Sequence, residues 1–284
     1  MAPLRHNHGM SIEHERELPI GIFDSGVGGL TVLKAIHEAL PGEHLVYLGD
    51  TARLPYGTKS PTSIERYATQ AAVKLQKEGI KLLVVACNTA SAVALEALRA
   101  HLAPLPVVGV VDPGAAAAVA ARPGGRHLVL ATEATVCLGA YREAILGLDA
   151  GATVDELACE LLVALAEEGW NEGPIGQQIV RRYLSGLPEA ARHPDSVILG
   201  CTHFPLLRET ISAVFDASVS IVDSANTTAA AARDLLDGLG LARGNGDGGG
   251  LTLLATDGAT RFARVGGQFL GRKLTWQDIE VVDL

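Results

Sequence analysis

At 284 residues, 48% hydrophobic but only 4% aromatic and with 32 glycines, the chain has material for one large domain or two ordinary ones, and its composition fits an α/β enzyme. Its formal net charge of −9 argues against an intrinsic nucleic-acid surface, because phosphate binding leans on Lys and Arg. No apolar run approaches the roughly 18 residues of a membrane span, residues 1–18 are polar without a signal-peptide core, and the cytoplasm is the expected compartment.

Residues 1–18, which carry His6, His8 and His14, read as a disordered polar extension. The first strand, 19–23, ends at Asp24-Ser25-Gly26-Val27-Gly28-Gly29 before a helix over 30–40. Glycines at a helix start form a nest of N–H groups suited to a substrate carboxylate. No Gly-Lys-Ser/Thr follows and the spacing is not GxGxxG, so a nucleotide is disfavoured. Asp24 is either a helix N-cap or a carboxylate presented at a strand end. A second strand, 44–48, leads into the long loop 49–57, the kind of connection that carries function. There Tyr56 offers a hydroxyl and Gly57 a close backbone approach. An amphipathic helix over 63–77 precedes the apolar run Leu82-Leu83-Val84-Val85-Ala86, a buried parallel strand that stops at Cys87. Asn88 and Thr89 open the next helix, to 101, and a strand over 106–111 exits through a turn at Asp112-Pro113-Gly114.

A second set of elements follows: an Ala-rich helix 115–121, a strand 127–132, a helix 135–146, an element over 157–168, a helix 177–184 and a strand 196–200 that stops at Cys201. The strand beginning at Val219 mirrors the exit at Asp112, and the two are expected to pair as a hinge. A helix 226–238, a Gly-rich flexible turn 244–250, a strand 251–255 and a closing helix 260–270 complete the chain. This alternation predicts two doubly wound, pseudo-symmetric α/β domains with the active site in the cleft between them. Residues 19–113 with 224–284 form the first and residues 114–223 the second.

Four cysteines without CxxC spacing are free thiols in a reducing compartment. Cys137 and Cys159 lie in helical patterns without polar company and are expected in the core. Cys87 and Cys201 each sit at a strand's carboxyl end and a helix's amino end, where ligands bind in open α/β sheets and where the helix favours thiolate. The sheet edges therefore collect Asp24, Ser25, Tyr56, Cys87, Asn88, Thr89, Cys201, Thr202 and His203. A Cys–His hydrolase would leave one thiol surplus. A zinc site of Cys87, Cys201 and His203 lacks short ligand spacing, and no metal is expected. Proton abstraction on one face of a carbon with return on the other needs two matched bases, and it alone uses the symmetry. Asp24 can serve Cys87, and His203 can serve Cys201. No lysine lies at a strand end to form a pyridoxal phosphate Schiff base, so no cofactor is expected.

The segments Gly21-Ile22-Phe23-Asp24-Ser25-Gly26-Val27-Gly28-Gly29-Leu30, Pro55-Tyr56-Gly57, Ala86-Cys87-Asn88-Thr89-Ala90 and Gly200-Cys201-Thr202-His203-Phe204-Pro205 resemble those of glutamate racemases, of the cofactor-independent aspartate/glutamate racemase superfamily. The resemblance implies interconversion of L- and D-glutamate to supply D-glutamate for bacterial peptidoglycan. It implies that Cys87 handles the proton on the D-face and Cys201 that on the L-face, assisted by Asp24 and His203. Asp24, Ser25, Tyr56, Gly57, Asn88, Thr89, Thr202 and His203 match substrate-binding positions, and Ala131-Thr132-Glu133-Ala134-Thr135 resembles a second strand end of the family. Where the family carries Cys-Pro-Leu-Phe-Val-Pro-Leu, this chain has Cys159-Glu160-Leu161-Leu162-Val163-Ala164-Leu165. Glu167-Glu168-Gly169 is retained, which makes Glu167 a candidate assisting glutamate. The family also implies a homo-oligomer, a dimer, with glutamate as small-molecule partner and no membrane. Its alternatives are racemisation of aspartate or a related amino acid, and an added non-catalytic role on DNA gyrase.

Overall fold

The computed structural model describes residues 11–244 and 248–284. Ten parallel-paired strands, β1 (Ile20–Asp24), β2 (Leu45–Gly49), β3 (Leu82–Val85), β4 (Val107–Gly109), β5 (Arg126–Ala131), β6 (Thr153–Ala158), β7 (Ser196–Gly200), β8 (Ser220–Asp223), β9 (Leu251–Ala255) and β10 (Ile279–Val281), form two sheets. The first has the order β10-β9-β2-β1-β3-β4 and the second β6-β5-β7-β8. Helices cover both faces, as all-parallel sheets require, and β1, β3 and β7 are buried along their whole length. The expected α/β architecture of two doubly wound sheets is therefore what the chain forms.

The order β2-β1-β3-β4 in one sheet repeats as β6-β5-β7-β8 in the other. In each, the chain leaves the inner strand in one direction and returns on its other side, so β1/β3 and β5/β7 are the topological switch points where open α/β sheets bind ligands. Register places Phe23 beside Val85 and Ala131 beside Gly200, so the residues after these pairs emerge together at the carboxyl edges.

Several local expectations are corrected. Residues 12–17 form a helix rather than disorder: Ser11 caps it, Arg16 Nε donates to the Gly240 carbonyl at 2.7 Å, and Lys81 Nζ donates to the Arg16 carbonyl at 2.7 Å. His6 and His8 lie outside the described residues, as do 245–247 of the Gly-rich turn. Asp112-Pro113-Gly114 is not a turn but the first turn of the helix Val111–Ala121, where a proline's missing N–H costs nothing. The expected hinge pair does not form, because β4 and β8 are edge strands of different sheets. The helix expected over 135–146 is broken at Gly139, whose φ of 63° is left-handed, into Glu133–Leu138 and Ala140–Leu148. Cys137 falls on the outer face of the first of these and is exposed, whereas Cys159 is buried at a strand–helix junction.

Candidate active site

Each switch point presents a cysteine, and the two differ in what surrounds it. Cys87 follows β3 and is the N-cap of the helix Asn88–Leu102, with Sγ accepting from Ala90 N–H at 3.4 Å. Ser25 Oγ lies 3.5 Å from the same sulfur. The helix end does favour thiolate, but burial and the charge of Asp24 outweigh it and push the Cys87 thiol up to about 12. Asp24 ends β1 beside it and is fully buried. It is not a helix N-cap: the next helix starts at Leu30 behind Gly29, and Asp24 Oδ2 instead accepts from Gly26 N–H at 2.9 Å. Burial raises its carboxyl above the ordinary range, against the pull of His203 and neighbouring N–H groups. Its Oδ1 is buried with no hydrogen-bond partner among the described residues.

Cys201 follows β7 and is buried. His203 Nδ1 lies 3.7 Å from Cys201 Sγ and 3.4 Å from Thr202 Oγ1. The other ring nitrogen, Nε2, meets Glu167 Oε1 at 3.1 Å at the end of the helix Glu160–Glu167. Burial alone would depress this histidine, but its bonds to Cys201 and Glu167 prevail and push it up to about 10. The bond to His203, helped by Arg261, in turn holds Glu167 below the usual carboxylate range.

Contacts between the sheets bring the two switch points together. Asn88 Nδ2 donates to Tyr141 OH at 2.7 Å, and Asn88 Oδ1 is buried with no hydrogen-bond partner among the described residues. Thr89 Oγ1 lies 2.9 Å from Thr132 Oγ1 and 3.2 Å from Thr135 Oγ1, and Thr31 Oγ1 donates to the Thr202 carbonyl at 3.0 Å. Gly28 explains the glycine run better than an anion nest does: a Cβ there would sit 2.5 Å from His203 Nδ1 and closer still to Thr202 Oγ1. Gly57 packs on Thr132, to which a Cβ would come within 3.0 Å. Tyr56 donates its hydroxyl to Asp50 Oδ2 at 2.5 Å, in a network with Arg53 and Thr256.

The Asp/Glu/Hydantoin racemase profile matches residues 20–232. The glutamate racemase of Geobacter metallireducens is 50% identical over 255 residues, covering 90% of this chain and 93% of that protein. The chain belongs to the glutamate racemase family. Two solved glutamate racemases share its fold. That of Francisella tularensis, in complex with D-glutamate, has a TM-score of 0.85 at 32% identity over 94% of this chain and 98% of that one. That of Thermus thermophilus, in complex with β-chloro-D-alanine, has a TM-score of 0.84 at 39% identity over 95% and 98%.

Of the site residues expected from sequence, Asp24, Ser25, Cys87, Asn88, Thr89, Cys201, Thr202 and His203 lie among the contacts at the two sheet edges, and Glu167 joins them through His203. Thr132 and Thr135 belong with them but stood outside the site set. Their signal was present, since Thr132 follows β5 as Ser25 follows β1, yet a threonine before a helix also reads as a cap. Arg261 carries no such signal in the sequence.

Proposed function

We propose that this chain interconverts L- and D-glutamate without a cofactor, supplying D-glutamate for peptidoglycan, with Cys87 and Cys201 as the two bases. The observation that carries the reading is the pair of cysteines at equivalent switch points of two sheets of like order. Residues 19–113 with 224–284 act as one domain and 114–223 as the other. From L-glutamate, Cys201 takes the α-proton and Cys87 returns one on the opposite face; from D-glutamate the roles exchange. His203 accepts and returns the Cys201 thiol proton, and Asp24 does so for Cys87.

Burial and the charge of Asp24 hold the Cys87 thiol well above neutral pH, so a cation beside it is needed to produce that base. The substrate ammonium supplies it, because an opposite charge within about 4–6 Å favours the charged form. Asp24 Oδ1 and Asn88 Oδ1, both buried acceptors without partners, are the groups to receive that ammonium. The hydroxyls of Ser25, Thr89 and Thr202 and the backbone at Gly57 face the carboxylates. Tyr56 fixes the loop through the bond from its hydroxyl to Asp50.

The test is α-proton exchange in deuterated water from each enantiomer, with wild type, Cys87→Ala and Cys201→Ala. Racemisation with solvent deuterium in the product, reduced by about 10³ or more in both variants, is the expected result. Exchange with aspartate alone would change the substrate and keep the mechanism, and no exchange with either amino acid would overturn the assignment.

A further inference from the structure

An unbroken line of polar contacts runs from the first sheet's side of the molecule to Cys201. Arg261, on the helix Ala259–Leu270, donates from Nη2 to Glu167 Oε2 at 2.6 Å. The other carboxylate oxygen meets His203 Nε2 at 3.1 Å, and His203 Nδ1 lies 3.7 Å from Cys201 Sγ. The same helix places Phe269 edge-on against the His203 ring, with centroids 5.1 Å apart.

We propose that Arg261 is a positioning residue for proton transfer at Cys201, acting through Glu167 and His203. The terminal torsion of a glutamate is broad, so an unanchored carboxylate presents its oxygens to a ring nitrogen over a wide arc. A guanidinium on Oε2 removes that freedom, leaves Oε1 aimed at Nε2, and so holds Nδ1 on the sulfur. Cys87 has no such dependence. Its partner Asp24 is fixed at a strand end by the Gly26 N–H, and the thiol itself is held by its own helix N-terminus and Ser25. Arg261 therefore acts on one face of the reaction only. This inference rests on the proposed racemisation, and its test includes an arm that does not.

In Arg261→Gln, kcat/KM falls by about two- to fivefold, the range of a partly exposed ion pair. The fall is equal in both directions, since the enantiomers have equal energy. The asymmetry shows in isotope effects on kcat/KM: that of α-deuterated L-glutamate rises, because abstraction by Cys201 has become slower, and that of α-deuterated D-glutamate shrinks. Without substrate, iodoacetamide alkylation mapped by mass spectrometry slows at Cys201 while Cys87 keeps its wild-type rate. Arg261→Lys, which keeps the charge, recovers most of each effect. Isotope effects that move together, or alkylation altered at both thiols or at neither, would reduce Arg261 to a surface contact and overturn the proposal. The alkylation arm reads the same line of contacts whether or not glutamate is the substrate, so failure of the functional reading is told apart from failure of this one.

Discussion

Gly28→Ala tests whether the cleft depends on the close approach of the two sheets. The added Cβ would lie 2.5 Å from His203 Nδ1, where ordinary contact begins near 3.4 Å, and it would meet Thr202 as well. The Gly28 segment or the Thr202–His203 segment must therefore shift by about 1 Å, a displacement on the scale that costs about 10²-fold when reacting groups are misplaced. Thr31, bonded to both the Gly28 carbonyl and the Thr202 carbonyl, resists the shift and ties its direction to the catalytic edge. Overpacking of this kind costs about 1–3 kcal/mol of stability, which leaves a protein of this size folded.

The assay is initial-rate racemisation followed by polarimetry from both enantiomers, with thermal unfolding of the same samples. The expected result is a drop of about 10²-fold in kcat/KM in both directions with a folded variant. Gly238→Ala, in the helix Ser224–Leu239 with nothing within 4 Å of its added Cβ, controls for the chemistry of the exchange. It should gain up to about 1 kcal/mol from helix propensity. Gly28→Ala activity within about threefold of wild type would refute the argument that this contact sets the cleft.

Tyr56→Phe removes the hydroxyl that donates to the buried Asp50, and a lost charge-assisted bond predicts about 1–3 kcal/mol less stability by urea denaturation. KM should change less than about threefold, because that hydroxyl is already committed to Asp50; a KM raised tenfold would place it in the binding site. His127 is fully buried, with Nδ1 2.7 Å from Ser196 Oγ and no partner for Nε2 among the described residues, and burial lowers its pKa. The folded state thus prefers the neutral ring, so this contribution is complete above the unfolded value near 6.5 and is lost as pH falls below it. Urea midpoints of His127→Gln between pH 7.5 and 5 should fall less steeply than those of wild type; parallel slopes would show that His127 does not drive the acid limb.

Most of the candidate site is legible because apolar β-branched runs stop abruptly at polar residues, which marks a buried strand and its end in one signal. Cys87 and Cys201 follow from that signal, and so do Asp24 and the Thr202–His203 pair. What escaped lacked such contrast. β6 is an edge strand whose Asp155 and Glu156 pair with Arg126 and Arg142, so its sequence reads as polar loop. β10 spans three residues with only Ile279 buried. Arg261 is half exposed and 94 residues from Glu167, and nothing in its neighbours distinguishes it from a solubilising arginine. Contacts made by long surface side chains across a cleft depend on how two sheets meet, and local periodicity carries no information about that.

The two halves match in topology but not in electrostatics, and the proposed chemistry accounts for the difference. Racemisation must leave the site able to run backward, so the states with the proton on Cys87 and on Cys201 need similar energies. Two carboxylate partners would oppose both thiolates by adding negative charge, and two imidazolium partners would hold both thiols ionised with no acid to return a proton. One buried acid with a raised pKa and one imidazole with a raised pKa keep the cleft's charge near balance. His203 also pulls Asp24 down, so a change of charge on one side is felt on the other. With the site so balanced, the substrate ammonium decides when the Cys87 thiolate forms, and the strength of that base is confined to the occupied cleft. On this argument Glu167 is what allows a histidine, rather than a second aspartate, to stand beside Cys201: its bond to Nε2 helps hold the imidazolium in a place where burial alone would neutralise it.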